Sequence, residues 1–276
     1  MEYSRAMDLC LRDRAFVIAG GSRGLGFATA EVLIAEGARV VIGATRDATG
    51  VEAVRRLSSC SPSADAAAYV VADSSDPESP ARLVTAAKDR YGRFDGALIS
   101  GSGTPSGSML GTSDEVWRLA FAGSFLGPLR LARAAAAAMG DEARGATVEL
   151  PPGSGGSIVF VLGSSVRVSL PRLAVSNGLY PGLAGVAKML ADELGPSGIR
   201  VNSLLPVRID TDRVRALDAE VGPPQEVRAE QSAKIPLRRY GTPPELGRVA
   251  AFLLSPAASY ITGATIPVDG GAIRAL

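Results

Sequence analysis

Between Arg14 and Ala38 the chain sets a strand, a glycine turn and a helix in immediate succession, and few folds accept that order. Phe16, Val17 and Ile18 form an apolar run with no polar interruption, the pattern of a strand buried on both faces of a parallel sheet. Gly20, Gly24 and Gly26 follow at once. Ala28, Val32, Leu33 and Ala35 then recur at helical spacing, and Gly37 supplies a C-terminal stop. A turn without Cβ atoms lets the N–H groups at the start of a helix come close to a phosphate, where the helix dipole also favours negative charge. The unit therefore predicts a dinucleotide cradle made of backbone.

Composition narrows the setting. The 276 residues suit one α/β domain spanning the chain, with residues 1–12 as a lead-in. Lys and Arg total 29 against 28 Asp and Glu, so a net charge of +1 gives no electrostatic case for nucleic acid or an anionic membrane. No apolar run reaches membrane-span length and the N-terminus lacks a signal-peptide pattern, which predicts a cytoplasmic protein. Cys10 and Cys60 have neither metal-ligand spacing nor a disulfide framework, and Met7 offers an alternative start. Histidine is absent altogether. Its absence excludes an imidazole base, a His-ligated metal and Ser-His-Asp hydrolysis.

Further strands are expected at Arg39–Ala44, Ala67–Ala72, Gly96–Ile99, Ser157–Leu162 and Ile199–Leu204, with helices over Pro80–Tyr91 and from Trp117 through Met139. Residues 140–156, with Pro151, Pro152 and several glycines, read as a surface loop. At the end of the second strand a dinucleotide fold separates NAD from NADP, because an acid there would bind the ribose 2′-OH and repel a 2′-phosphate.

The spacing Gly-x3-Gly-x-Gly differs from the general Gly-x-Gly-x2-Gly fingerprint and resembles the short-chain dehydrogenase/reductase family, with Ala19 where that family often has Thr. The resemblance runs from about residue 8 to 274 and includes Gly198-Ile199-Arg200-Val201-Asn202, the Pro243-Pro244-Glu245-Leu246 helix start and the segment from Ser259 to Gly271. It implies a doubly wound, Rossmann-type α/β fold: a parallel sheet of about seven strands with helices on both faces and the ligand at the carboxyl ends of the strands. It also implies a homodimer or homotetramer acting on a small-molecule substrate.

On that resemblance Gly20, Ser22, Arg23, Gly24, Leu25 and Gly26 form the cofactor turn, Asp73 with Ser74 contacts the adenine, and Thr211 contacts the carboxamide or diphosphate end. Ala44 holds the place of the NAD-selecting acid, while Arg46 and Arg23 supply positive charge. The implied cofactor is NADP(H). The expected Asn-Asn-Ala-Gly is replaced by Ile99, Ser100, Gly101 and Ser102.

The family's catalytic Asn, Ser, Tyr and Lys fare worse. Alignment from Trp117 and Met139 puts Ser124 at the Asn, and counting back from Gly198 puts Gly163 at the Ser, Ser176 at the Tyr and Tyr180 at the Lys. In the family that Lys cation lowers the Tyr pKa and holds the nicotinamide ribose. Ser164, Ser176 and Tyr180 remain as catalytic candidates, while Lys188 lies about 12 Å along the helix from Tyr180 and is expected to pair with Asp192. Ser176-Asn177-Gly178-Leu179-Tyr180 resembles a Ser-Asn-x-x-Arg pattern of a reductase subgroup. Gly178, Pro181 and Gly182 predict a helix that starts late, with Pro181 in its first turn. Residues 207–240 correspond to a substrate loop, with Arg213, Arg215 and Asp218 expected on a solvated face. Three functions follow: an NADP(H)-dependent oxidoreductase acting on a carbonyl or secondary alcohol through an atypical site, a non-redox isomerase, cyclase or lyase, and a nucleotide-binding or scaffold protein without catalysis.

Overall fold

In the computed structural model, residues 8–60, 65–101, 103–145 and 155–275 are described. Seven parallel strands form one sheet in the order β3-β2-β1-β4-β5-β6-β7. They are β1 Ala15–Ala19, β2 Arg39–Ala44, β3 Ala67–Val71, β4 Gly96–Ser100, β5 Ser157–Val161, β6 Arg200–Pro206 and β7 Thr265–Val268. The chain winds outward through β2 and β3, then returns to β4 on the other side of β1. That reversal opens a crevice above the carboxyl ends of β1 and β4.

Side-chain alternation divides the core into two layers. Phe16 and Ile18 of β1 join Val40, Ile42, Leu98, Val159 and Leu204 on one face. They pack against α1 (Gly24–Ala35) and α9 (Pro243–Leu254) through Leu33, Ile34, Leu246 and Ala250. Ala15 and Val17 point the other way, with Val41, Ile99, Ile158 and Phe160, onto α3 (Ser79–Tyr91), α5 (Gly127–Gly145) and α6 (Ala174–Leu194). Two-sided burial explains why these strands are apolar at every position. Truncating fully buried Phe160 to Ala would cost about 3–5 kcal/mol. At the edge, β7 tolerates Pro267 because it pairs with β6 alone.

Several boundaries differ from the expectations. α4 (Asp114–Phe121) begins before Trp117 because Ser113 caps it, its Oγ accepting from the Val116 N–H at 3.4 Å. It does not run directly into α5: a π turn, Ala122–Leu126, lies between them. α5 continues through Gly145, so residues 140–145 of the expected loop are helical, and residues 146–154 lie outside the described residues, as do Met7 and Ser102.

The largest correction concerns α6. It starts at Ala174, and Pro181 sits well inside it. Proline removes the hydrogen bond to the Asn177 carbonyl, a local cost that packing on both sides offsets. The start of the helix is anchored from outside. Ala174 N–H donates to the Gly107 carbonyl at 3.2 Å, and the Asn177 amide accepts from Leu170 N–H and donates to its carbonyl. The glycines serve contact: a Cβ on Gly178 would lie 2.7 Å from Trp117 Cη2, and one on Gly182 would lie 3.1 Å from Phe125 Cε2. Ser176 and Tyr180 are thus one helical turn apart on a formed helix.

Candidate functional site

The glycine turn occupies the crevice. Gly20 adopts φ +68°, and a Cβ there would lie 2.7 Å from the Ser100 carbonyl oxygen, so the loops after β1 and β4 meet at backbone distance. A Cβ on Gly26 would lie 2.4 Å from the Gly20 carbonyl oxygen. At Gly24, φ +60°, a Cβ would meet only the Thr211 methyl, at 3.8 Å, among the described residues. Arg23 is the N-cap of α1 but makes no side-chain cap, and no acid lies in the first turn. The helix therefore presents backbone N–H groups to an open surface, and these fit a diphosphate. Ser22 and Leu25 are half-buried in the same turn, with Leu25 against the core. Thr211 arrives from beyond β6, its hydroxyl capping α7 (Asp212–Ala219) through the Val214 N–H.

Along the β1–β2–β3 side, Arg23 and Arg46 are both exposed, and Arg46 begins α2 (Asp47–Ser58) directly above β2. Ala44 is buried. The first acid after β2, Asp47, accepts the Tyr69 hydroxyl at 2.9 Å, a bond that raises the pKa of that phenol. Asp73 is exposed, with Oδ1 accepting from the Ser75 N–H at 2.8 Å and its hydroxyl at 2.7 Å. Ser74 faces the π turn: its hydroxyl lies 3.4 Å from where a Cβ on Gly123 would be.

Above β5 lie the three catalytic candidates and their neighbours. Ser164, Ser165 and Ser176 are all buried. Ser176 Oγ and Ser165 Oγ share a hydrogen bond at 2.7 Å, so the hydroxyl of the candidate Ser176 is already engaged by a neighbour. Tyr180 is half-buried, and its ring lies 3.5 Å from where a Cβ on Gly163 would project. Gly163, having no side chain, makes room beside that ring. Burial raises the Tyr180 pKa above the ordinary phenol value, and the positive charge of Arg213 acts against it. Ser124 is buried within the π turn.

Arg213 is the residue that sequence reasoning missed as part of the site. Its guanidinium donates to the Thr104 carbonyl and lies over Gly103, where a Cβ would come within 2.7 Å of Nε. A second tie joins the same segments, Ser106 Oγ donating to Glu220 at 2.9 Å. One signal was available: a cation in the first turn of a helix opposes the dipole. Arg213 is exposed, as expected, whereas Asp218 departs from the expected solvated face: it is buried and accepts from Arg208 and, at 2.9 Å, from the Tyr240 hydroxyl. Burial first, and then the bond to Asp218, push the Tyr240 phenol up to about 12. Arg215 stays exposed as expected, paired with Asp210 and Asp212. Lys188 pairs with Asp192 at 3.7 Å, also as expected.

A family model described as Enoyl-(Acyl carrier protein) reductase matches residues 19–272. L-rhamnose 1-dehydrogenase (NAD(P)(+)) of Azotobacter vinelandii is 32% identical over 270 residues, covering 95% of this chain and 98% of that protein. The 3-oxoacyl-[acyl-carrier-protein] reductase FabG of Vibrio cholerae is 29% identical over 262 residues, covering 95% and 98%. Among solved structures, levodione reductase superposes with a TM-score of 0.86 at 28% identity, covering 94% of this chain and 97% of that one.

Proposed function

The chain belongs to the short-chain dehydrogenase/reductase family of oxidoreductases, and from that premise we propose that it is an NADP(H)-dependent oxidoreductase acting on a carbonyl or secondary alcohol, with Tyr180 as its proton donor. The observation that carries the reading is the phenol of Tyr180 beside Gly163, at the same carboxyl edge of the sheet as the uncapped glycine turn. When bound, the nicotinamide supplies hydride to the carbonyl carbon or accepts it from the alcohol. This chain's residues do the rest. Gly20, Gly24 and Gly26 bring backbone N–H groups to the diphosphate, and Arg23 and Arg46 offer charge to a 2′-phosphate. Tyr180 gives its proton to the carbonyl oxygen during reduction and recovers one from solvent.

The test is NADPH and NADH consumption with a panel of ketones, quinones and sugars, repeated in Tyr180→Phe. Loss of a positioned general acid lowers the rate about 10²- to 10⁴-fold. Full activity in Tyr180→Phe would discard the proton-donor role. A second reading, nucleotide binding without turnover, draws on the Ser165–Ser176 bond, which leaves the hydroxyl at the family's Tyr position already engaged. Tight NADPH binding with no absorbance change across the panel would favour it.

A further inference from the structure

Where β2 turns into α2, two charges of opposite sign stand side by side. Arg46 is the N-cap of α2 and makes no side-chain cap, and Asp47 follows it as the acid of the first turn. Both are exposed. The helix dipole favours a carboxylate at Asp47, which accounts for an acid in that turn. The same carboxylate, if unrestrained, would oppose Arg46, because an acid beyond β2 can accept from a ribose 2′-OH and repels a 2′-phosphate.

The carboxylate is restrained from β3. Tyr69 donates its hydroxyl to Asp47 Oδ1 at 2.9 Å. Tyr69 pairs with Ile42 of β2, and β3 lies on the far side of β2 from β1 and its glycine turn. The bond therefore draws Asp47 toward the sheet edge, away from the crevice. The ring that carries the hydroxyl is itself fixed. A Cβ on Gly50, one turn along α2 from Asp47, would lie 2.3 Å from Tyr69 Cδ2, so only glycine leaves the ring its place. The first turn is tied down as well, with the Arg46 carbonyl accepting from Thr49 Oγ1 at 2.7 Å and from the Gly50 N–H at 3.1 Å. No described cation forms an ion pair with Asp47, which leaves Tyr69 as its restraint.

We propose that Tyr69 sets cofactor specificity as a positioning residue: its hydroxyl holds the Asp47 carboxylate on the β3 side of α2 and so leaves Arg46 unopposed toward a nucleotide 2′-phosphate. Tyr69 acts through Asp47 and touches no nucleotide itself. The proposal rests on the NADP(H) reading for its functional meaning, although the restraint on Asp47 does not.

Equilibrium binding of NADPH and NADH, read by fluorescence titration without substrate, provides the test, with thermal melts to confirm that each variant is folded. Tyr69→Phe frees the carboxylate and lowers the ratio of NADPH to NADH affinity about fivefold, the upper end for exposed charges. Added salt shrinks the change. Gly50→Ala, which displaces the ring, moves the ratio the same way. Asp47→Asn alone changes it little, and in the Tyr69→Phe background it abolishes the loss, because no carboxylate is left to swing inward. An unchanged ratio in folded Tyr69→Phe and Gly50→Ala overturns the proposal, and a parent that still prefers NADPH then keeps the NADP(H) reading. An equal loss with and without Asp47 also overturns it. A parent that prefers NADH, and binds it more tightly in Tyr69→Phe only while Asp47 is present, upholds the restraint and discards the NADP(H) reading.

Discussion

The crevice has two sides built on different principles. Above β1 and β2 the candidate groups are backbone: the turn from Gly20 to Gly26 is shaped by two positive φ angles and by carbonyls that a Cβ would strike. Above β5 the candidate groups are side chains: Ser165 follows β5, Ser176 and Tyr180 lie on α6, and Arg213 lies on α7. A backbone device depends on residues close in sequence and tolerates little change. A side-chain device can be rebuilt, with a hydroxyl or a cation arriving from another helix, as long as the atoms reach the same space.

That difference can be broken from either side, and the largest expected effect is on the rebuilt one. Tyr180→Phe should lower turnover about 10²- to 10⁴-fold with little change in melting temperature. Gly26→Ala places a Cβ 2.4 Å from the Gly20 carbonyl oxygen, and backbone cannot rotate away from it. The cost is about 3 kcal/mol of stability together with loss of nucleotide binding, read by thermal melts and fluorescence titration. If Gly26→Ala binds NADPH as tightly as the parent, the backbone cradle is not the nucleotide site.

Smaller changes sharpen the contrast. Arg46→Glu should raise the KM for NADPH about tenfold or more and leave that for NADH nearly unchanged, because a charge-assisted bond to phosphate contributes about 1.5–3 kcal/mol. Equal loss with both nucleotides would show that Arg46 does not read the 2′-phosphate. Ser176→Ala leaves the Ser165 hydroxyl without its partner and should lower stability by about 1 kcal/mol, with a fall in kcat well short of that in Tyr180→Phe. A fall as deep as that of Tyr180→Phe would return the proton to Ser176.

The same contrast governs what could be read in advance. The bounds of β2, Arg39–Ala44, are legible because an apolar run sits between Gly37 and exposed Thr45. The seven-stranded parallel sheet and the α9 start at Pro243 follow from the family resemblance. The start of α6 is hidden because Gly178, Pro181 and Gly182 oppose a helix locally, and only Trp117 and Phe125 explain their presence. Asp218 reads as solvated because Arg208 and Tyr240, which bury it, lie outside its own helix. Arg213 has no spacing relation to Tyr180 at all. Its link to the site exists only after α7 is laid over Gly103 and Thr104.

The π turn at Ala122–Leu126 bears on how such a chain can change over generations. Its extra residue rotates everything downstream by about 100° relative to a continuous α-helix. Upstream of it Trp117 meets Gly178, and downstream Leu131, Ala132, Ala135 and Met139 meet the sheet. Loss of a single codon within this helix would swing those four side chains off the core together, whereas most single replacements alter only one contact. Inheritance can therefore revise the residues of this helix freely and its length scarcely at all, so a new active site must be written by substitution within a fixed count.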